Sequence, residues 1–248
     1  MGIGRALLEW LQASDIEVRG TTRFPSAEHP ELLAADFSSS QGVREFMESN
    51  RDWLQDVDLL ICNAGYAHFG FFPNQPEDSI DRQLQLMLGS VMQLSKGLWP
   101  TLSQQPGSAC VFISSLAGQF PIPGFPVYNA AKAGLSQFAE SLMVEAGGTG
   151  PQVLNFRLGD IRTDFNQHVV RAENTSKEED LAWARIEATM AAAPGADRVV
   201  RSLCKRLKSR RSGSWNIGDP VQAWWAPLAA RWLPGAWMRW LVRRYYRL

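Results

Sequence analysis

The chain has no excess charge and few residues of the kinds that bind metals or form cross-links. Its 25 Lys and Arg offset 25 Asp and Glu, so nothing in the overall balance points to nucleic acid or an acidic partner. Only three cysteines occur, Cys62, Cys110 and Cys204, too few for a disulfide framework. Two of them lie in apolar runs, which reads as buried thiols in a reducing, cytoplasmic setting. The three histidines, His29, His68 and His168, are isolated and lack ligand spacing, so no metal is expected. His68 reads as a solvated loop residue. No run of 18 apolar residues predicts a transmembrane helix, and the first residues lack a signal-peptide pattern. Internal repeats, low-complexity linkers and RNA-binding motifs are absent as well, so no nucleic-acid partner is expected.

A length of 248 residues suits one α/β domain with a sizeable core. The neutral total hides an asymmetry. From Arg201 onward eleven Lys or Arg stand against one acid, Asp219, while the body carries 14 bases and 24 acids. An anionic partner should therefore meet the tail.

The chemistry is concentrated between Phe112 and Lys132. Ser115 closes an apolar run, Ala109–Ile113, that reads as a buried strand, and Tyr128 and Lys132 open a helix continuing through Ala133, Leu135, Phe138 and Leu142. Residues four apart share a helix face, so the phenol and the ammonium point the same way. A neighbouring cation should lower a phenol from its usual value near ~10 and let Tyr128 act as general acid or base. The Ser115 hydroxyl could then hold a substrate carbonyl oxygen as charge develops on it. Tyr-x-x-x-Lys alone is common, and a core aromatic beside a solvated lysine is its ordinary reading. The strand before it and the helix after it make this instance specific.

Ser115, Tyr128 and Lys132 in this order and spacing resemble the short-chain dehydrogenase/reductase family. The resemblance covers nearly all of the chain up to Ile217. It implies a doubly wound, three-layer α/β fold on a parallel sheet, with residues 1–217 as the catalytic domain and 218–248 as a Trp- and Arg-rich extension. It also implies hydride transfer between NADP(H) or NAD(H) and a carbonyl or secondary alcohol. Gly2, Ile3 and Gly4 match the end of the family's glycine turn, whose backbone approaches the cofactor pyrophosphate at a helix N-terminus. The strand and first glycine that precede this turn in the family are not in the chain, and the expectation is that they lie upstream of a misplaced or trimmed start. The alternative is a truncated relative that holds cofactor poorly.

Glu17–Thr22 reads as the next strand and ends at Arg23. An arginine there with no acid beside it suits a 2′-phosphate and favours NADP(H) over NAD(H); a merely solvated strand-end arginine is the other reading. Leu32–Ala35 is a third strand, closed by Asp36 and Phe37, which resemble the family's adenine contact. Asp58–Cys62 runs into Asn63, Ala64 and Gly65, the family's turn beside the cofactor ribose. After the sixth strand, Gln152–Arg157, the family's Pro-Gly-x-x-x-Thr appears with Leu158 in place of proline, while Gly159, Ile161 and Thr163 match; these are implied to contact the cofactor's carboxamide or phosphates. Residues 164–194 correspond to the substrate lid. Pro194–Leu207 reads as a helix and Ser214–Ile217 as a last strand.

Within the helix expected from Glu77 to Trp99, Met87 takes the place where the family has an asparagine that supports proton relay. Met87, Leu158 and the incomplete glycine turn motivate the rival function, a weak or inactive protein of this fold that binds or regulates. Six of the ten tryptophans lie from Trp215 onward. Arg239, Arg243 and Arg247 recur on one side of the last helix, opposite Trp237, Trp240, Leu241, Tyr245 and Leu248. Two readings are open: a helix lying in a membrane interface, or one packing its aromatics on the domain or a second copy of the chain. The expected substrate is a small carbonyl or alcohol, lipophilic if the tail bears on it.

Overall fold

Parallel strands cannot be joined by tight turns, so the chain must alternate strand and crossover. The computed structural model describes residues 2–172 and 175–248. The elements in order are Ile3–Ala13 (α1), Gly20–Thr22 (β1), Leu32–Ala34 (β2), Ser40–Ser49 (α2), Arg51–Leu54 (α3), Leu59–Cys62 (β3), His68–Phe69 (β4), Glu77–Leu84 (α4), Ser90–Gln104 (α5), Ala109–Ser115 (β5), Pro126–Ala146 (α6), Gln152–Leu158 (β6), Val170–Arg171 (β7), Lys177–Ala191 (α7), Asp197–Ser209 (α8), Gly213–Ile217 (β8), Ala226–Trp232 (α9) and Gly235–Tyr246 (α10).

β5 is central because six of its seven residues are buried. It pairs in parallel with β3 on one side and β6 on the other, and β6 pairs with β8, giving the order β3-β5-β6-β8. Successive strand residues face opposite ways. Cys110 and Phe112 therefore pack with α2, α5 and α6 through Val43, Phe46, Leu94, Leu98 and Leu135. Val111 and Ile113 face the other layer, where Leu7 of α1 and Val199 and Leu203 of α8 meet them. Strands covered on both faces and helices in two layers make the doubly wound α/β architecture that the sequence predicts.

The sheet is divided. β1 and β2 pair only with each other, in parallel, and among the described residues β3 has no partner on its edge away from β5. The break falls where the family resemblance puts the strand that the sequence lacks. The same gap explains why β1 covers only Gly20–Thr22, shorter than the predicted Glu17–Thr22: it has a ladder on one side alone. The predicted 194–207 helix begins at Asp197 and ends at Ser209, because Gly195 bridges to Arg162 instead.

Local signals set the helices that matter for the site. Pro126 occupies the first turn of α6 and Gly147 ends it in the left-handed conformation, φ 54°, the arrangement these two residues favour. α7 starts with a capping box in which Ser176 and Glu179 satisfy each other's backbone N–H groups. Among the described residues no helix is long and apolar enough to cross a membrane.

Candidate active site

A mostly apolar cavity of about 900 Å3 opens at the carboxyl ends of β3, β5 and β6, where open α/β sheets place their ligands. Gly2, Ile3, Gly4, Asn63, Gly65, Ser115, Tyr128, Lys132, Gly159, Ile161 and Thr163 all stand in its wall. The chain thus gathers most of the residues that the sequence singles out.

Ser115 ends β5, and its hydroxyl accepts a hydrogen bond from Ala117 N at 3.1 Å and donates to the Leu158 carbonyl at 3.1 Å. The turn after it, Leu116–Gly118, presses against α6. A Cβ added at Gly118 would lie 2.8 Å from Ala133 N and 2.9 Å from the carbonyl carbon of Lys132. Only glycine allows that approach, which brings Ser115 beside the helix bearing Tyr128 and Lys132. Behind them runs a polar network the sequence did not announce. The Ser136 hydroxyl donates to Ser114 at 3.2 Å, Ser114 to Asn155 at 2.6 Å, and the Asn155 amide to Ser214 at 3.0 Å. It ties α6 to β5, β6 and β8.

Lys132 is only 4 % exposed. Its Nζ donates to the Ile113 carbonyl at 2.8 Å and lies 5.7 Å from the centroid of the Tyr128 ring. Burial pushes its pKa down to about 8. The same burial pushes the Tyr128 phenol up to about 12, opposed by the Ser115 hydroxyl and reinforced by the Asp160 carboxylate. The expectation that the ammonium lowers the phenol is therefore not met: the charge faces the ring and a carbonyl, and desolvation dominates.

The residues fit a dinucleotide. Gly2 caps α1 with no side-chain hydrogen bond, so the first N–H groups of α1 lack a capping side chain, and Gly2, Ile3 and Gly4 line the cavity. A Cβ at Gly4 would meet Nδ2 of Asn63 at 2.6 Å, so the absence of a side chain lets the α1 start approach the Asn63 turn. Those N–H groups and the helix dipole suit a phosphate.

Arg23, Asp36, Phe37 and Ala64 are not in the cavity wall. Arg23 is exposed just beyond β1, its guanidinium 5.5 Å from the Phe24 ring centroid. Asp36 accepts from Ser38 N at 2.9 Å, and this hydrogen bonding to Ser38, with Arg23 nearby, holds its carboxyl below the usual value. Phe37 is a core residue packed edge-on to Phe46. His68 is not solvated: it lies in β4, paired with β7, and is buried. Met87 is fully buried in a π-helical turn, Gln85–Gly89. Its Sδ and Lys132 Nζ each lie 3.9 Å from where a Cβ on Gly65 would be, so both side chains border Gly65.

Several wall residues were invisible in the sequence. Gln222 donates to Asp160 Oδ2 at 2.6 Å and accepts from Asp160 N at 2.9 Å, clamping the turn after β6 to the C-terminal extension. Phe165, His168 and Tyr246 also line the cavity. Helix α7 is anchored by Glu179, fully buried, whose carboxylate accepts from Phe71 N at 2.6 Å and Ser176 N at 2.7 Å. Burial raises its pKa, but these hydrogen bonds outweigh that and the net shift is downward. Glu179→Ala should lower unfolding stability by about 1–3 kcal/mol, since it removes the acceptor shared by the Phe71 and Ser176 N–H groups; urea unfolding of both proteins measures it.

The family model described as short chain dehydrogenase matches residues 2–174. The 3-ketodihydrosphingosine reductase of Bacteroides thetaiotaomicron is 25% identical over 257 aligned residues, covering 100% of this chain and 95% of that protein. Among solved structures, a short-chain dehydrogenase from Streptomyces avermitilis superposes with a TM-score of 0.78 at 22% identity, over 99% of this chain and 92% of that one. A short-chain dehydrogenase from Sphingobium yanoikuyae in complex with NADPH gives a TM-score of 0.70 at 20% identity, covering 93% and 89%. A 4-hydroxyisoleucine dehydrogenase complexed with NADH gives 0.72 at 17% identity, covering 87% and 91%.

Proposed function

Since the chain belongs to the short-chain dehydrogenase family, an oxidoreductase family that uses a nicotinamide dinucleotide, we propose that it is an NADP(H)-preferring reductase of a lipophilic carbonyl compound, with Tyr128 as its proton donor. The observation that carries this reading is the meeting of Ser115, Tyr128, Lys132 and the uncapped start of α1 in one cavity wall. The nicotinamide would supply or accept hydride at the substrate carbon. Gly2–Gly4 would hold its pyrophosphate, Asn63 and Gly65 the ribose side, and Gly159, Ile161 and Thr163 the nicotinamide end. Asp36, Phe37 and Ala64 would complete the adenosine and ribose side from outside the wall.

The chain's own residues divide the proton work. With its phenol pushed up to about 12, Tyr128 keeps its proton at neutral pH, the form that gives a proton to a developing alkoxide. Ser115 turns its hydroxyl hydrogen from the Leu158 carbonyl to the substrate oxygen while still accepting from Ala117 N. This second donor fixes the carbonyl in place as charge builds. Lys132, fixed by the Ile113 carbonyl and close to the Tyr128 ring, would hold the ribose hydroxyls and keep a positive charge beside the phenol. Met87 offers no amide for a relay, so proton resupply runs through other groups or is slow.

The NADP(H) preference rests on Arg23. It is exposed past β1, forms no salt bridge among the described residues, and suits a 2′-phosphate. Arg23→Ala should weaken NADPH binding about tenfold to a hundredfold, the value of one charge-assisted contact, and leave NADH binding unchanged. Titrating the protein's fluorescence with each cofactor decides it: equal losses for both, or no loss for either, would remove Arg23 as the 2′-phosphate contact. In this proposal the protein is cytoplasmic, residues 1–217 are the catalytic domain, and 218–248 contact a membrane surface.

A further inference from the structure

The C-terminal extension does two different things with its two sides. Met238, Leu241, Val242 and Tyr246 of α10 form part of the cavity wall, and Tyr246 and Leu248 pack in one apolar cluster with Tyr128, Phe125, Trp183 and Ile186. Gln222 bolts the beginning of the extension to Asp160. The extension is therefore built into the site, as a wall on the side of helix α7.

The residues that do not face the cavity are unusual for a water-facing surface. Trp224, Trp225, Trp232, Trp237 and Trp240 are 75%, 67%, 78%, 60% and 54% exposed, and Trp237 and Trp240 stack edge-on at 6.3 Å. Five such rings leave on the order of 700 Å2 of aromatic surface in water, far more than scattered single apolar residues would. Exposed Arg239, Arg243 and Arg247 are interleaved with them, and no acid follows Asp219. The partner must then be apolar enough for indole rings and anionic enough for guanidinium groups. A second copy of this chain would bring the same positive charge to the contact and repel. An anionic bilayer supplies acyl chains, headgroup-depth sites for tryptophan and phosphates for arginine together.

We propose that the outward side of residues 224–247 docks on an anionic lipid surface and thereby sets the cavity mouth against the bilayer, so that the substrate is an amphiphile taken from the lipid phase. The substrate half of this inference rests on the reductase reading above; the docking half does not. Trp237 and Trp240, which meet lipid, share α10 with Met238, Val242 and Tyr246, which wall the cavity, so docking and substrate capture are coupled through one helix.

The full chain would be sedimented with vesicles of phosphatidylcholine alone or mixed with phosphatidylglycerol. Binding should be at least ~10-fold stronger on the mixed vesicles, given about 1 kcal/mol for each basic residue at such a surface. It should also drop about tenfold in Trp237→Ala/Trp240→Ala, two rings outside the cavity wall, with circular dichroism checking that the variant is folded. Brominated acyl chains should quench the fluorescence of the wild type more than that of the variant. Equal binding to both vesicle types, or none, overturns the docking surface; a dimer lost in the variant without vesicle binding would assign the patch to a second copy. For the substrate, NADPH oxidation would be followed with 2-hexadecanone held in the mixed vesicles and with water-soluble 2-butanone. The variant should be at least ~10-fold slower on the first and unchanged on the second. Equal rates on the vesicle-held ketone overturn the bilayer route. Normal vesicle binding with no turnover of either ketone overturns the reductase reading and leaves docking in place.

Discussion

Tyr128→Phe should cut carbonyl reduction by about 10²–10⁴-fold, the usual worth of a positioned general acid, and leave the fold and NADPH binding intact. The change removes one oxygen at the cavity wall. The ring itself stays, with its centroid 6.0 Å from those of Phe125 and Phe165, so the apolar contacts that seat it survive. Ser115→Ala should cost about 10²-fold, as for one lost oxyanion donor, and it also leaves Ala117 N without its acceptor. Rates of NADPH oxidation with a ketone, set beside NADPH titrations of the same proteins, separate chemistry from binding. A phenylalanine variant that reduces ketones at the wild-type rate would remove Tyr128 from the mechanism.

The second large effect is on stability and is confined to alkaline pH. Lys132 is held near 8 in the folded protein and returns to about 10.4 when the chain unfolds. Between those values the unfolded chain binds more protons than the folded one, so this lysine makes stability rise with pH. Below pH 8 both states are charged and its full penalty is present; above about 10.4 both are neutral and the penalty is gone. Other buried groups act oppositely in the same range. Cys110, pushed up to about 12, and Cys62, also raised by burial, favour folding less as pH climbs past their unfolded values, and the Tyr128 phenol does so above its own. The comparison with Lys132→Met cancels them. The stability of the wild type relative to this variant should increase by about 2 kcal/mol from pH 7 to pH 9.5. Urea unfolding at the two pH values measures the difference, and a flat difference would mean that the ammonium is solvated. The variant should also lose turnover, since the charge under Tyr128 is gone.

The centre of the fold was readable because its residues have few alternatives. An apolar run as short as Ala109–Ile113, with Val, Phe and Ile in it, suits a strand buried on both faces, and the tyrosine-lysine spacing has meaning only on a helix that follows it. Asn63, Gly65, Gly159, Ile161 and Thr163 reach the cavity because strand ends in a parallel sheet converge on one edge. What could not be read depends on side chains brought together from far apart. Gln222 meets Asp160 across 62 positions, and Glu179 meets Phe71 across 108; neither pair leaves a local pattern. His68 looks like a loop residue until β7 arrives to pair with it. The direction of the Tyr128 shift differs from the expected one because spacing gives orientation but not depth, and burial dominates the phenol. In the tail, the arginine repeat and the tryptophans were visible, while the partition of α10 into cavity wall and exposed rings required the packing against α7.

Under the proposed function, this cavity moves hydride between a nicotinamide dinucleotide and a carbonyl carbon under proton donation by Tyr128. Incubating the full chain with NADPH deuterated at nicotinamide C4 and a panel of aliphatic ketones and 3-oxoacyl esters, then weighing the alcohols by mass spectrometry, tests it most directly. The account predicts deuterium at the carbinol carbon with the wild type and almost none with Tyr128→Phe. NADPH bound by both proteins with no labelled alcohol from either, or equal label from both, would contradict it.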